Sequence, residues 1–217
     1  MSGLSRRGFI VSAATLAGSG ACQSQVGSSQ SSAAGHFDLE EFIADVRRAR
    51  TDSAPQAAVR EVLARAVSEP GSVIQTLGEP KQAGIHEVYR AADLTILNVI
   101  WAPLMILLPH EHRMWATIGI YTGREDNILW QRSGSRVEAS GAASLSEKET
   151  YSLPEDIVHS VTNPIERMTG AIHIYGGDFF ATPRSEWDAE TLVEQPFDLE
   201  RARRIFEQAN RRFEAGR

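Results

Sequence analysis

Apolar residues recur along this chain in two rhythms. Phe37, Leu39, Phe42, Ile43 and Val46 are spaced as on one helix face, predicting a helix within Phe37–Arg50. Val59, Val62, Leu63 and Val67 repeat that spacing over Ala57–Val67, and Pro70-Gly71 is expected to end the second helix. From Gly84 to Thr182 the rhythm shortens. β-Branched and aromatic runs alternate with Gly, Pro, Asn and Asp turns. Strands are predicted at Glu87–Tyr89, Thr95–Trp101, Met105–Pro109, Trp115–Tyr121, Ile128–Arg132, Arg136–Ala139, Glu149–Leu153, Ile157–Val161 and Thr169–Tyr175. So many short strands at close spacing imply a sandwich or barrel. The helical rhythm returns at Asp198–Phe213, with Leu199, Ala202, Ile205, Phe206, Ala209 and Phe213 on one stripe. Six arginines from Arg201 to Arg217 are offset by Glu200, Glu207 and Glu214, which reads as a docked amphipathic helix rather than a nucleic-acid arm.

The start of the chain follows neither rhythm. Arg6-Arg7 precedes an uncharged apolar stretch from Phe9 to about Ala17, then small residues and Cys22. This is the three-part layout of an export signal, of the twin-arginine type. Residues 1–21 are therefore expected to be removed and the domain to work outside the cytoplasm. That route carries folded proteins and suits one that acquires a metal before crossing. Ser19-Gly20-Ala21-Cys22 resembles a lipobox, with Ser19 where an apolar residue is usual. The small residues Ser19 and Ala21 also suit an ordinary signal peptidase, so lipidation of Cys22 and simple cleavage stay open. A lipid there would be the only link to a membrane. Residues 22–36, rich in Ser, Gln, Gly and Ala, read as a flexible tether. The remainder divides into a helical extension at 37–83, a β barrel at 84–195 and a closing helix at 196–217.

Composition narrows the classes. The 217 residues carry a net charge of −6, which becomes −8 once Arg6 and Arg7 leave with the signal. That balance excludes nucleic-acid binding by bulk electrostatics. Hydrophobic residues make up 42%, too many for a largely disordered chain. One Cys excludes an intramolecular disulfide framework and a cysteine zinc cluster.

The candidate chemistry lies in histidines. His110-Glu111-His112 on a strand sends both imidazoles to one face and Glu111 to the other. His159 follows in Pro154-Glu155-Asp156-Ile157-Val158-His159-Ser160-Val161-Thr162-Asn163. Three neutral imidazoles suit divalent Fe, Zn, Ni, Cu or Mn.

These two segments resemble the paired motifs of the cupins, small double-stranded β-helix (jelly-roll) barrels. The first cupin motif carries H-x-H with a Glu a few residues on, and the second P-x-G-x-x-H-x-x-x-N. Here Pro154, His159 and Asn163 keep the second spacing, Asp156 replaces the Gly, and no Glu follows His112 within Arg113–Thr117. Three His without the carboxylate resembles the cysteine dioxygenase branch, closest to its uncharacterised metal-dependent members. The resemblance spans roughly Tyr89–Thr182. It implies Fe(II), a small thiol or small carboxylate as substrate, dioxygen as co-substrate and a sulfinic acid product. Thiol dioxygenases also carry Ser-x-His-x-Tyr, an outer chain of hydrogen bonds. His173 and Tyr175 match it and are the implied catalytic pair, whereas Ala171 lacks the hydroxyl and is expected to leave His173 less firmly held. The cross-link of Cys to Tyr found in some members is excluded, because Cys22 lies outside the domain. Family enzymes hold a substrate carboxylate with an early Arg, for which Arg90 and then Arg113 are the candidates, with Trp115 and Met114 as pocket walls. Against this stands a metal-binding cupin without redox chemistry, a binding or sensing module or an isomerase. A zinc hydrolase ranks third, since no general base lies nearby in sequence.

Overall fold

A computed structural model describes residues 36–216. The expected signal, Cys22 and the tether up to residue 35 lie outside the described residues.

Three helices come first: α1 (Leu39–Ala49), α2 (Pro55–Val67) and α3 (Pro70–Leu77). Asp38 caps α1 by accepting from the Glu41 N–H at 2.9 Å. Acids in its first turn and Arg47 and Arg48 in its last oppose the helix dipole. Helix α2 ends at Val67, before Pro70, as the sequence predicts; the expectation of only two helices is corrected by α3, which Pro70 opens, since Pro at the first helical position loses no hydrogen bond. Gly78, at φ 86°, ends α3.

Eleven strands follow: β1 (Gly84–Ala91), β2 (Leu94–Trp101), β3 (Ile106–Glu111), β4 (Ala116–Thr122), β5 (Arg124–Ser133), β6 (Arg136–Ser146), β7 (Thr150–Leu153), β8 (Val158–Thr162), β9 (Thr169–Tyr175), β10 (Ser185–Trp187) and β11 (Glu194–Pro196). Helix α4 (Leu199–Ala215) closes the described chain. One antiparallel sheet has the order β1-β2-β9-β4-β7, and the other β11-β10-β3-β8-β5-β6. Within them, β2-β9-β4-β7 faces β3-β8-β5-β6, the eight-strand arrangement of a jelly roll folded back about the β5–β6 hairpin. The fold is a double-stranded β-helix with flanking helices.

Both faces of the first sheet are covered. Leu97, Val99, Trp101, Ile118, Ala171 and Tyr175 face the barrel interior. Leu94, Ile96, Tyr121, Ile172 and Ile174 face outward, onto Phe42, Val46, Val59, Leu63 and Val73 of the three helices. Every residue of β2 and β9 is consequently buried, which explains why apolar residues occupy both faces of each strand. Helix α2 sits close because Gly119 has no side chain: a Cβ there would lie 2.7 Å from Leu63 Cγ. At the other side α4 is fixed by Asn210, whose amide accepts from Ala83 N–H at 2.8 Å and donates to Ala83 C=O at 2.9 Å. Phe206 stacks on Trp101, with ring centroids 5.3 Å apart.

Candidate metal centre

The barrel interior between β3, β8 and β9 holds the histidines. Leu107 pairs with Val161 and His110 with His159, so β3 advances three residues against two on β8. That β-bulge, at Leu108-Pro109, re-aims the strand and accommodates a proline that cannot donate to the ladder. His110 and His159 end directly opposite each other, and His112, two residues on, shares their face. Ring centroids are 5.0 Å apart for His110–His112, 4.6 Å for His110–His159 and 4.9 Å for His112–His159. One ligand nitrogen from each lies within 4.8 Å of the others, and all three residues are buried. No carboxylate joins this group among the described residues. Glu111 points away, as alternation requires. Its buried carboxylate accepts from Arg113 Nε at 2.8 Å, Ser185 N–H at 2.9 Å and Arg132.

Neighbours set the tautomers. His110 Nδ1 donates to Leu108 C=O at 2.8 Å, and His159 Nδ1 donates to Asn127 Oδ1 at 2.7 Å. Each then presents its Nε2 lone pair to the centre. Asn127 is itself oriented by donating to Glu125 Oε1 at 3.1 Å. His112 Nε2 lies 3.3 Å from His159 Nε2, and the enclosed His112 Nδ1 has no partner among the described residues. Burial depresses all three pKa values, His110 to about 4, so the rings stay neutral and able to ligate. Two ligands about 2.1 Å from a shared ion lie 3.3 Å apart at roughly 105°, so the spacing suits one divalent ion.

Beside this group, His173 Nδ1 lies 3.1 Å from Tyr175 Oη, and His173 Nε2 lies 3.2 Å from Glu125 Oε2. Trp101 Nε1 donates to the same oxygen at 2.8 Å. A carboxylate only accepts, so His173 Nε2 donates to Glu125, and in a neutral ring Nδ1 accepts from the Tyr175 hydroxyl. Burial raises the Tyr175 pKa and keeps the phenol protonated. Its ring packs edge-on to His112, centroids 4.9 Å apart. The expectation that Ala171 leaves His173 loosely held is corrected: Glu125, from β5, supplies the anchor. Nothing in Arg124-Glu125-Asp126-Asn127 marks it, since that run reads as a polar turn.

The other expected residues lie elsewhere. Arg90 makes a bidentate pair with Asp178, at 2.9 and 3.0 Å. With Phe180 and Phe206 it lines an open cleft of about 470 Å³ that none of the three imidazoles lines. Arg113 is tied to Glu111 on the far face of β3. Neither guanidinium hydrogen-bonds to the imidazoles. Trp115, just ahead of β4, packs outward with the α1–α3 cluster, while its neighbour Met114 packs inward. Trp115 is thus no pocket wall. A residue missed from sequence, Arg184, is buried between Phe179 and Phe197. Its one signal was being the only Lys or Arg between Arg167 and Arg201.

Fold and site together define a double-stranded β-helix with a buried three-imidazole group able to hold a metal ion. No protein-family model matches the chain. Similar solved structures include an RmlC-like cupin family protein from Methanocaldococcus jannaschii, at 10% identity over 48% of this chain and 87% of that one, TM-score 0.41. A cupin domain from Bordetella pertussis matches at 18% identity over 45% and 95%, TM-score 0.35. Bacillus subtilis oxalate decarboxylase, with Mn(II) centres, matches at 16% identity over 41% and 22%, TM-score 0.35.

Proposed function

We propose that the protein is a mononuclear non-haem iron oxygenase that adds dioxygen to a small thiol, RSH + O₂ → RSO₂H. The observation that carries this reading is the donor set: three buried neutral imidazoles, no carboxylate ligand among the described residues, and a protonated tyrosine against the same cluster. His110, His112 and His159 would hold the ion. Bound Fe(II) would supply the redox chemistry between thiol and dioxygen. Because the ligands are neutral, the ion's charge is left for an anionic substrate to balance, and a thiolate does so. Glu125 and His173 direct the Tyr175 proton away from the cluster, so the hydroxyl oxygen offers lone pairs on its other side. Phe179, packed against Tyr175 and His112, helps keep bulk water from these groups. We also propose, on the sequence alone, that the domain works outside the cytoplasm.

Oxygen uptake by the Fe(II)-loaded protein with cysteine, cysteamine and 3-mercaptopropionate tests the reading. The expected result is one O₂ consumed per thiol, with a sulfinic acid product. Uptake with none of them refutes it and favours a non-redox metal-binding role.

A further inference from the structure

We infer that the turn carrying Leu104 and Ile106 is a self-association surface, and that the partner it fits is a second copy of this chain related by a two-fold axis. The inference goes beyond the proposed function and depends on neither the metal centre nor the thiol chemistry.

The turn between β2 and β3 is held in a conformation that few leucines adopt. Leu104 has φ 55°, in the left-handed region where a Cβ crowds the backbone. Asn163, which is buried, holds the turn there. Its side-chain nitrogen lies 3.2 Å from Trp101 C=O, 2.9 Å from Ala102 C=O and 2.8 Å from Arg167 C=O. Its backbone N–H donates to Met105 C=O at 2.9 Å, and Leu104 N–H donates to Ile165 C=O at 3.3 Å. The β2–β3 turn and the β8–β9 loop are thus tied to each other, and strain of this kind points to a use for the residue that bears it.

The consequence of the tie is exposure. Leu104 is 60% exposed and Ile106 61%, more than any other large apolar residue described. A loose turn could fold these side chains inward, whereas this one presents them to solvent. They do not stand alone. Ile106 opposes Thr162 and Ile128 opposes Ser160, so both isoleucines stand on the outer face of the second sheet, on the strands either side of β8. Ile128 is itself exposed. Between the turn and the end of α4 runs a groove of about 590 Å³, walled by Pro103, Leu104, Met105, Ala209 and Phe213. Apolar knobs and an apolar groove therefore share one surface, as an interface between identical patches requires.

The charges on the rim select the occupant. Glu166 and Arg212 also line the groove, and both are exposed. Neither forms an ion pair among the described residues, and Arg212 Nε donates only to Gln208 C=O, at 3.4 Å. An anionic surface would meet Glu166 with like charge, and a cationic one would meet Arg212. A second copy turned about a two-fold axis meets each with its opposite, Glu166 of one against Arg212 of the other, twice. Copies of a chain with net charge −6 repel overall, so they associate where the signs balance.

The test is sedimentation velocity with light scattering on the full chain. Wild type should be dimeric at about 50 µM, since specific interfaces of standard size bind at micromolar or tighter. Ile106→Glu should be monomeric at the same concentration and keep the wild-type circular dichroism. Glu166→Arg and Arg212→Glu should each raise the dimer dissociation constant about tenfold or more, through like charges set face to face. The two changes combined should restore it, because the swap pairs every charge again. This charge swap decides the matter if Ile106→Glu does not fold. A monomeric wild type, a dimer untouched by Ile106→Glu, or a combined variant no tighter than the single ones overturns the inference. So does a monomeric wild type that sediments with phosphatidylglycerol vesicles when Ile106→Glu does not, which would give the patch to a lipid surface.

Discussion

Replacing Glu125 by Gln changes one atom, yet it should disturb two arms of the centre. Glu125 is fully buried. Oε2 accepts from Trp101 Nε1 at 2.8 Å and His173 Nε2 at 3.2 Å, and Oε1 accepts from Asn127 Nδ2 at 3.1 Å. Gln has one oxygen to share between these two places. With its oxygen towards Trp101 and His173, its NH₂ opposes the Asn127 NH₂. Relief requires Asn127 to flip, which turns an NH₂ towards His159 Nδ1. A neutral His159 must then carry its proton on Nε2, the nitrogen aimed at the centre. With the oxygen towards Asn127 instead, Trp101 and His173 lose their acceptor. One buried donor left unmatched costs about 1–3 kcal/mol. In a chain of this size that lowers Tm by about 2–12 °C. Loss of a partner that orients a ligand typically weakens metal affinity by about 10–100-fold. Thermal unfolding of the metal-free protein and a chelator-competition titration with Zn(II) read the two effects. A Glu125→Gln variant with wild-type Tm and wild-type zinc affinity would refute the assignment of Glu125 as the group that sets both histidine tautomers.

Tyr175→Phe removes only the hydroxyl that His173 accepts, so metal content should be retained while thiol turnover falls by about 10–100-fold. Loss of metal would contradict that role. The metal-free protein should lose stability as acidity rises. The His110 pKa is 6.5 when unperturbed and about 4 in the fold, so the unfolded chain takes up its proton first. Its contribution is full above pH 6.5 and falls by about 1.4 kcal/mol per pH unit towards pH 4. His112 and His159 shift in the same direction. A urea midpoint that stays flat or rises as pH falls through this window would contradict the burial of these rings as neutral groups. Gly119→Val places a side chain into Leu63 and should cost about 1–3 kcal/mol by lifting α2. A denaturation midpoint like that of wild type would show that α2 is not seated as described.

The parts of this molecule that announce themselves in sequence are those governed by short periods. Two His at i and i+2 on a strand share a face whatever surrounds them, so His110 and His112 were legible at once. His159 stands out through the resemblance of Pro154, His159 and Asn163 to the second cupin motif. Strands β1–β9 each showed some β-branched or aromatic run, but β10 and β11 are three residues each, too short for alternation to register. Strand β6 was read only as far as Ala139, because Ser140–Ala143 are small residues with little pattern. Pro70 marks the end of α2 without announcing α3, because proline breaks a helix interior yet fits its first turn. Glu125 and Arg184 were illegible for a deeper reason. Their meaning depends on partners far along the chain: His173, 48 residues from Glu125, and Phe179 and Phe197 on either side of Arg184. In both cases a polar residue gains its interior partners only when the fold buries it.

The central claim is that His110, His112 and His159 together hold one metal ion. Its most direct test is the number of divalent ions bound per chain, measured by elemental analysis after loading with Fe(II) or Zn(II) and removing excess metal. Wild type should retain one ion per chain, and His159→Ala, which keeps the strand but deletes the ligand opposite His110, should retain essentially none. No retained ion in wild type, or equal retention in the variant, would contradict the claim.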